Sequence, residues 1–236
     1  MPESNETRFM CVSPKFELRK LNYALKTGSI QNQSAYLFDR KSQGKTRGEL
    51  CHEDIFSRPL ILYRIMNRPE TNEYDPYYDT YVSLIEGDNA VTTLETQPAI
   101  LRALFSGVPE DKGIFAYAEG KWTTKEVLSH LIDAERMFAY RMLRISRGDK
   151  TPIEGFEQDG YIENSNANNR TFAELLDEFD LQRQSNMLFI NNLSDQAASR
   201  VGTANEKSIS VRGLVYIMAG HVRHHLRILN ERYLVE

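Results

Sequence analysis

Cysteine and long apolar runs are scarce in this sequence. Only two of the 236 residues are cysteine, Cys11 and Cys51, and both lie in the first quarter of the chain. This disfavours a disulfide framework and leaves no thiol for a Cys–His enzyme in the remaining three quarters. No apolar run approaches the roughly 20 residues of a bilayer span, and the first residues lack the apolar core of a signal peptide. We therefore expect a cytoplasmic protein with no membrane partner.

Positive charge is also scarce over most of the chain. Residues 66–236 carry 18 Lys and Arg against 26 Asp and Glu, whereas residues 1–65 carry 11 against 7. An acidic domain offers no electrostatic footprint for nucleic acid, which requires a basic face. The sequence also lacks a GxSxG nucleophile elbow and a glycine-rich phosphate loop. These absences favour a small-molecule substrate over a nucleic-acid partner.

Two regions of different character follow each other along the chain. Residues 27–54 are polar, rich in Gly, Ser, Gln and Lys, and show no sustained periodicity. We therefore predict that residues 1–65 form a poorly ordered extension or reflect a misassigned start, because Met66 is a plausible alternative beginning. Residues 66–236 are predicted to form the working domain.

Helical periodicity dominates after Met66. The predicted helical regions are 75–108, 123–149, 170–193 and 210–233. Two of them open with a capping box, in which a threonine is followed three residues later by glutamate: Thr123 with Glu126, and Thr171 with Glu174. The expected fold is an all-α, antiparallel four-helix bundle.

The sequence also predicts where the helices break and how they are connected. Gly87 and Pro98 interrupt the first region, and Gly148 is expected to end the second. No segment alternates convincingly enough to predict a strand. Residues 148–169 form a long polar connection, in which Phe156 and Tyr161 could line the mouth of a site or belong to a plain surface loop.

Three histidines occupy positions where core residues are expected. His221 and His225 are four residues apart, so they project from one helix face with an angular offset of about 40°. They continue an apolar stripe, and His130 does the same on the second long helix. One divalent ion would satisfy all three imidazoles, but a cluster of hydrogen-bonded core histidines explains the spacing equally well.

The residues around this pattern limit its chemistry. A zinc protease helix has glutamate after the first histidine, whereas this chain has Val222. Asp133 is placed either to orient a ligand imidazole or to form a surface ion pair. Glu135 is expected to pair with Arg136 or with Arg223, and His224 to be a solvated residue at the edge of the stripe.

The sequence resembles the DinB/YfiT-like superfamily over roughly residues 67–234. The resemblance rests on "YDPYYDTYV" (74–82), "GKWTTKEVLSHLIDAERMFAYRMLRISRGD" (120–149), "GFEQDGY" (155–161) and "AGHVRHHLRILNERYL" (219–234). It implies a four-helix bundle in which His130, His221 and His225 bind one divalent metal, typically zinc or nickel. It also implies a homodimer.

The resemblance leaves two functions open. In the first, an open three-histidine site activates a thiol or water, as in family members that act as thiol S-transferases with bacillithiol or mycothiol, or as hydrolases of small molecules. A low-molecular-weight thiol would then be a co-substrate. In the second, the protein is a non-catalytic metal- or ligand-binding stress-response protein with a structural metal. The sequence identifies no catalytic residue beyond the metal ligands.

Overall fold

The structure of the protein is a computed structural model that describes residues 64–234. These residues belong to one compact unit, 58–236. The predicted extension over residues 1–65 lies outside the described residues, except for Arg64 and Ile65. None of the helices within residues 64–234 is long and apolar enough to cross a bilayer.

Helices account for most of the described chain. In chain order, the helices and strands are α1 (Asp79–Val82), α2 (Ala90–Phe105), α3 (Thr124–Ser146), α4 (Gln158–Glu163), α5 (Phe172–Asn191), α6 (Asp195–Ala198), β1 (Val201–Ala204), β2 (Lys207–Ser210) and α7 (Val211–Ile228). A π-helical turn, Leu229–Tyr233, continues α7. Short 3-10 turns cover Thr71–Glu73, Pro76–Tyr78, Glu110–Ile114 and Ala167–Asn169.

The four long helices pack as a bundle, which confirms the predicted all-α, four-helix fold class. Each has two long neighbours, so that the order around the bundle is α2, α5, α3, α7. Side-chain pairs show that α3 and α5 run in the same direction, because Lys125 near the start of α3 lies over the ring of Phe172 at the start of α5, whereas α2 and α5 run in opposite directions. Near one end of α2, Arg102 contacts Asp177 at the start of α5, whereas Leu94, nearer the other end of α2, contacts Arg183 further along α5. The consecutive helices α2 and α3 lie diagonally opposite each other.

Both predicted capping boxes are present. The Thr123 hydroxyl accepts from the Glu126 backbone N–H, and the Glu126 carboxylate accepts from the Thr123 N–H, which fixes the start of α3. Thr171 and Glu174 start α5 in the same way. Each box satisfies backbone donors that a helix start would otherwise leave unpaired.

The predicted interruption at Pro98 is wrong, because α2 continues through this residue. Proline has no N–H, so the carbonyl of Leu94, four residues earlier, loses its helical partner. Arg183 Nη1 donates to that carbonyl oxygen at 2.6 Å from the neighbouring helix α5. A side chain from another helix thus supplies the hydrogen bond that the proline removes.

The absence of strands was also a wrong prediction. Strands β1 and β2 pair antiparallel, with Val201 opposite Ser210 and Ala204 opposite Lys207. The two residues between the strands, Asn205 and Glu206, have φ of 52° and 61°. Positive φ at both central residues is typical of a tight hairpin turn, which usually uses Asn-Gly rather than Asn-Glu.

The bundle interior divides into two apolar clusters with polar side chains between them. One cluster contains Met142 and Met218, and the other contains Leu128 and Leu229. At the level between them, every long helix contributes a buried polar residue. These residues are Gln97, His130, Glu135, Arg183, Asn186 and His221. This polar layer contains both of the groups described below.

Candidate metal centre

Helices α3 and α7 bring the three predicted histidines together. His130 lies about two turns into α3, and its position is fixed by the cap at Thr123. His221 and His225 lie on α7, which begins after Ser210, whose hydroxyl accepts from the Gly213 N–H. One potential ligand atom from each of the three imidazoles lies within 4.8 Å of the others. Within residues 64–234, these are the only three His, Cys, Asp or Glu residues that meet this criterion as a group.

The distances between these rings are compatible with one small cation. The Nε2 atoms of His130 and His221 are 3.0 Å apart. The ring centroids are 4.9 Å apart for His130 and His225, and 4.6 Å apart for His221 and His225. Nitrogen ligands about 2.0–2.1 Å from zinc in tetrahedral geometry lie roughly 3.3 Å from each other. Only small side-chain adjustments would place three nitrogens around one ion.

Burial keeps these imidazoles neutral. Desolvation lowers the pKa of His130 to about 4. It also lowers the pKa of His221 and of His225 well below the usual range, and the proximity of the other imidazoles lowers both further. A metal is bound by the neutral form of histidine, so the site does not have to lose protons near neutral pH.

One buried nitrogen of the cluster has no hydrogen-bond partner within the part of the chain that the structure describes. This atom is Nδ1 of His225. Buried polar atoms are nearly always paired in folded proteins, so an orphaned one calls for a partner such as water or an ion. The neutral imidazoles, their mutual distances and this orphaned atom fit the donor set of a zinc-like ion.

The neighbours of the cluster correct the expectation for Glu135 and favour one of the two interpretations of Asp133. Glu135 pairs with neither Arg136 nor Arg223; instead it forms a buried ion pair with Arg183. Arg136 lies 3.5 Å from Asp133, which supports the ion-pair interpretation of Asp133. Burial raises the pKa of Asp133, and the carboxylate of Glu178 adds to this effect, although Arg136 opposes it.

His224 is half-buried and lies beside the cluster. Its ring centroid is 5.2 Å from that of His225 and 5.7 Å from that of Tyr81. Burial lowers the pKa of His224, and the nearby Arg227 lowers it further. This residue is therefore less solvated than expected.

A cavity of about 450 Å³ opens beside two of the histidines. His130 and His221 line its wall. The other lining residues are Tyr77, Tyr78, Tyr81, Ala134, Phe138, Arg141, Gly155, Phe156, Glu157, Gln158 and Asn205. His225 faces a second cavity of about 280 Å³, which Trp122 and Tyr233 also line. The histidine cluster is thus reached from two sides.

The connection between α3 and α5 supplies part of the larger cavity wall. Phe156 lines the cavity, whereas Tyr161 packs against Phe156 with ring centroids 5.2 Å apart and is not part of the wall. The hairpin holds this connection in place, because the Asn205 N–H donates to the Ile153 carbonyl at 2.8 Å. Tyr81 and Arg141 were not singled out individually from the sequence, although both lie in stretches that carry the family resemblance.

The fold and this site define a class of protein: a four-helix bundle with a buried three-histidine cluster beside an aromatic-lined cavity. Residues 93–229 match the DinB superfamily. The match covers more than half of the chain, which therefore belongs to the DinB superfamily. No curated protein matches the chain.

Two solved structures share the fold. YfiT from Bacillus subtilis, described as a probable metal-dependent hydrolase with an unusual four-helix bundle topology, has a TM-score of 0.57 at 19% identity, over 61% of this chain and 83% of its own. The mycothiol-dependent maleylpyruvate isomerase has a TM-score of 0.50 at 15% identity, over 59% of this chain and 58% of its own. At these identities, the likeness concerns the fold.

Proposed function

We propose that this protein is a metal-dependent enzyme in which His130, His221 and His225 hold one divalent ion, zinc or nickel. The reaction is the activation of a thiol or of water toward a small-molecule electrophile, as in a thiol S-transferase or a hydrolase. The observation that carries the proposal is the convergence of three neutral imidazoles, whose potential ligand atoms lie within 4.8 Å of one another at the wall of a cavity.

Three histidines favour an open site over a structural one. A structural zinc is usually enclosed by four protein ligands, whereas catalytic sites keep a position free for water or substrate. A divalent ion lowers the pKa of a coordinated thiol or water, so that a nucleophile forms near neutral pH without a side-chain base. The alternative is a non-catalytic protein in which the ion cross-links α3 and α7.

The residues around the cluster support a reaction on a small molecule. Phe138 packs against His221 with ring centroids 5.7 Å apart, and Tyr81 packs against the same ring at 5.4 Å. These rings hold the imidazole in place and shield one side of the site from water. The cavity of about 450 Å³ has room for a small substrate. A homodimer and a cytoplasmic location remain predictions that follow from the sequence.

The test compares the metal content of purified wild type, His225→Ala and His224→Ala by mass spectrometry. His224 is a matched control, because it is the neighbouring histidine on α7 and is not a member of the three-histidine group. We expect about one ion per chain in wild type and in His224→Ala, and at least a tenfold lower content in His225→Ala, because three ligands define this site. Equal metal content in all three proteins would refute the site.

Activity is then measured on the same samples. Conjugation of a low-molecular-weight thiol to an electrophile, and hydrolysis of small esters and amides, are each assayed with and without bound metal. We expect one of these activities in wild type and its loss in His225→Ala. If the wild type binds metal but shows neither activity, and loses its fold when the metal is removed, the structural alternative replaces the enzyme.

A further inference from the structure

Arg141 is a buried cation with no carboxylate partner among residues 64–234. It lies on α3 on the same side as His130, Ala134 and Phe138, and these four residues line the same cavity. The side chain is only 5% exposed. Its one hydrogen bond is a long one, from Nη2 to the Glu154 carbonyl oxygen at 3.4 Å, and its Nε is buried without a partner. Within residues 64–234, no ion pair involves this guanidinium.

The other buried arginine shows what a satisfied guanidinium requires in this bundle. Arg183 is 1% exposed and donates from three nitrogens, to Glu135, Gln97 and the Leu94 carbonyl. Burying a charge is costly unless a counter-charge and hydrogen bonds offset the lost hydration. Arg183 has both, whereas Arg141 has no counter-charge among the described residues and only the long hydrogen bond to the Glu154 carbonyl.

We propose that the cavity binds small molecules that carry a carboxylate, and that Arg141 binds this carboxylate. The planar guanidinium is suited to a carboxylate, which it can bind through two parallel hydrogen bonds. This inference rests on the proposed function and adds the class of substrate. In the bound substrate, the carboxylate lies at the Arg141 end of the cavity and the reacting group lies at the histidine end.

The charges around the cavity favour a single negative charge. Among the described residues that line the cavity, Arg141 is the only cationic side chain. Nearby Lys207 already pairs with Asp75 at 2.8 Å. Glu157 also lines the cavity, and its carboxylate accepts from the Gly160 N–H at 2.6 Å at the start of α4. The proposed metal ion lies at the histidine end of the cavity, so Arg141 provides a single positive charge at its own end, which suits a carboxylate better than a phosphate dianion.

The lining residues and the length of the cavity indicate what the ligand contains besides the carboxylate. The rings of Tyr78, Tyr81, Phe138 and Phe156 line it, so an apolar or aromatic body is expected next to the carboxylate. Arg141 lies eleven positions after His130, which places their Cα atoms roughly 16 Å apart along α3. The long Arg141 side chain spans part of this distance, because it lines the same cavity as His130. An elongated molecule fits this arrangement.

The experiment measures the binding of 4-phenylbutyrate, its neutral analogue 4-phenylbutyramide and inorganic phosphate by calorimetry on metal-loaded protein. The variants are Arg141→Met, Arg141→Lys and the matched control Arg144→Met. Arg144 is one turn further along α3, pairs with Asp149 and does not line the cavity. We expect wild type and Arg144→Met to bind the acid at least about tenfold more tightly than the amide.

The two Arg141 variants separate a ligand anchor from a structural residue. Arg141→Met should remove the preference for the acid, and Arg141→Lys should retain part of it. The melting temperature of Arg141→Met should equal or exceed that of wild type, because an uncompensated buried charge has been removed. A melting temperature several degrees lower, with the preference intact, would show a structural role and overturn the proposal.

Other outcomes also overturn it. These are equal binding of acid and amide, tighter binding of phosphate than of the acid, a preference for the acid that survives Arg141→Met, and no binding at millimolar concentration. Metal content is measured in every sample. Metal-loaded protein that shows no preference for the acid refutes only this inference. An Arg141-dependent preference for the acid in a protein that binds no metal refutes the proposed metal function but supports the carboxylate site.

Discussion

At the scale of the residue, Arg183 shows how a buried charge is stabilised in this bundle. Its guanidinium forms a two-point ion pair with Glu135, at 3.0 and 2.5 Å. Asn186 donates to the same carboxylate at 2.8 Å, and Gln97 accepts from Arg183 at 2.9 Å. Gln97 in turn donates to the Ala219 carbonyl at 2.6 Å. This network therefore connects all four long helices.

The first residue-scale prediction concerns this ion pair. Arg183→Met is expected to lower the free energy of unfolding by about 3–5 kcal/mol, because it leaves the Glu135 carboxylate buried without its cation. The double variant Glu135→Leu/Arg183→Met should recover much of that loss, since both charges are then absent. Unfolding in urea measures both effects.

An exposed arginine provides the control for this prediction. Arg136 pairs with Glu178 on the surface of the bundle. Arg136→Met is expected to cost less than about 1 kcal/mol, because water screens exposed pairs. Similar losses for Arg136→Met and Arg183→Met would contradict the role given to burial.

At the scale of the element, Gly220 determines how closely α1 approaches α7. A Cβ atom at this position would lie 2.1 Å from the Tyr81 carbonyl oxygen, which is a backbone atom and cannot rotate away. The ring of Tyr81 packs against the neighbouring His221. The absence of one side chain on α7 thus allows an aromatic residue of α1 to lie against the histidine cluster.

The element-scale prediction is that Gly220→Ala destabilises the protein, although alanine is the better helix former. Alanine gains about 1 kcal/mol of helix propensity, but the clash should push α1 away and cost more than this gain, for a net loss of about 1–3 kcal/mol. Denaturant unfolding measures the loss, and a crystal structure of the variant should show Tyr81 displaced from His221. An unchanged or higher stability would contradict the close approach of these two elements.

At the scale of the whole molecule, the polar layer separates two apolar clusters. Such a layer costs stability unless its members are paired. Glu135 and Arg183 pair with each other, whereas the three histidines lack a full set of partners. A metal ion would complete this half of the layer and join α3 to α7.

The whole-molecule prediction is that metal removal lowers the melting temperature. Free metal at 100 times its dissociation constant stabilises the folded state by about 2.7 kcal/mol, which for a domain of this size corresponds to roughly 5–10 °C. Thermal unfolding with and without a chelator measures the shift. His130→Ala should abolish it, His224→Ala should retain it, and equal melting temperatures for loaded and stripped wild type would rule out the stabilising ion.

The sequence alone determined the elements with local signals. The capping boxes at Thr123 and Thr171 depend on neighbouring residues, and the four helical regions depend on apolar spacing, so both were predictable. The grouping of His130 with His221 and His225 was also suggested, because all three occupy core positions on apolar helix stripes. The hairpin was missed because Asn205 and Glu206 differ from the usual Asn-Gly turn.

Only the tertiary structure decided the remaining features, because each depends on contacts between distant segments. Helix α2 passes through Pro98 because Arg183 donates to the freed Leu94 carbonyl, and the partner of Glu135 lies 48 residues away on α5. The burial of Arg141 without a counter-charge is likewise invisible in the sequence, where it reads as an ordinary charged residue of a helix. Spacing along a chain fixes which residues share a helix face, but only packing determines what that face meets.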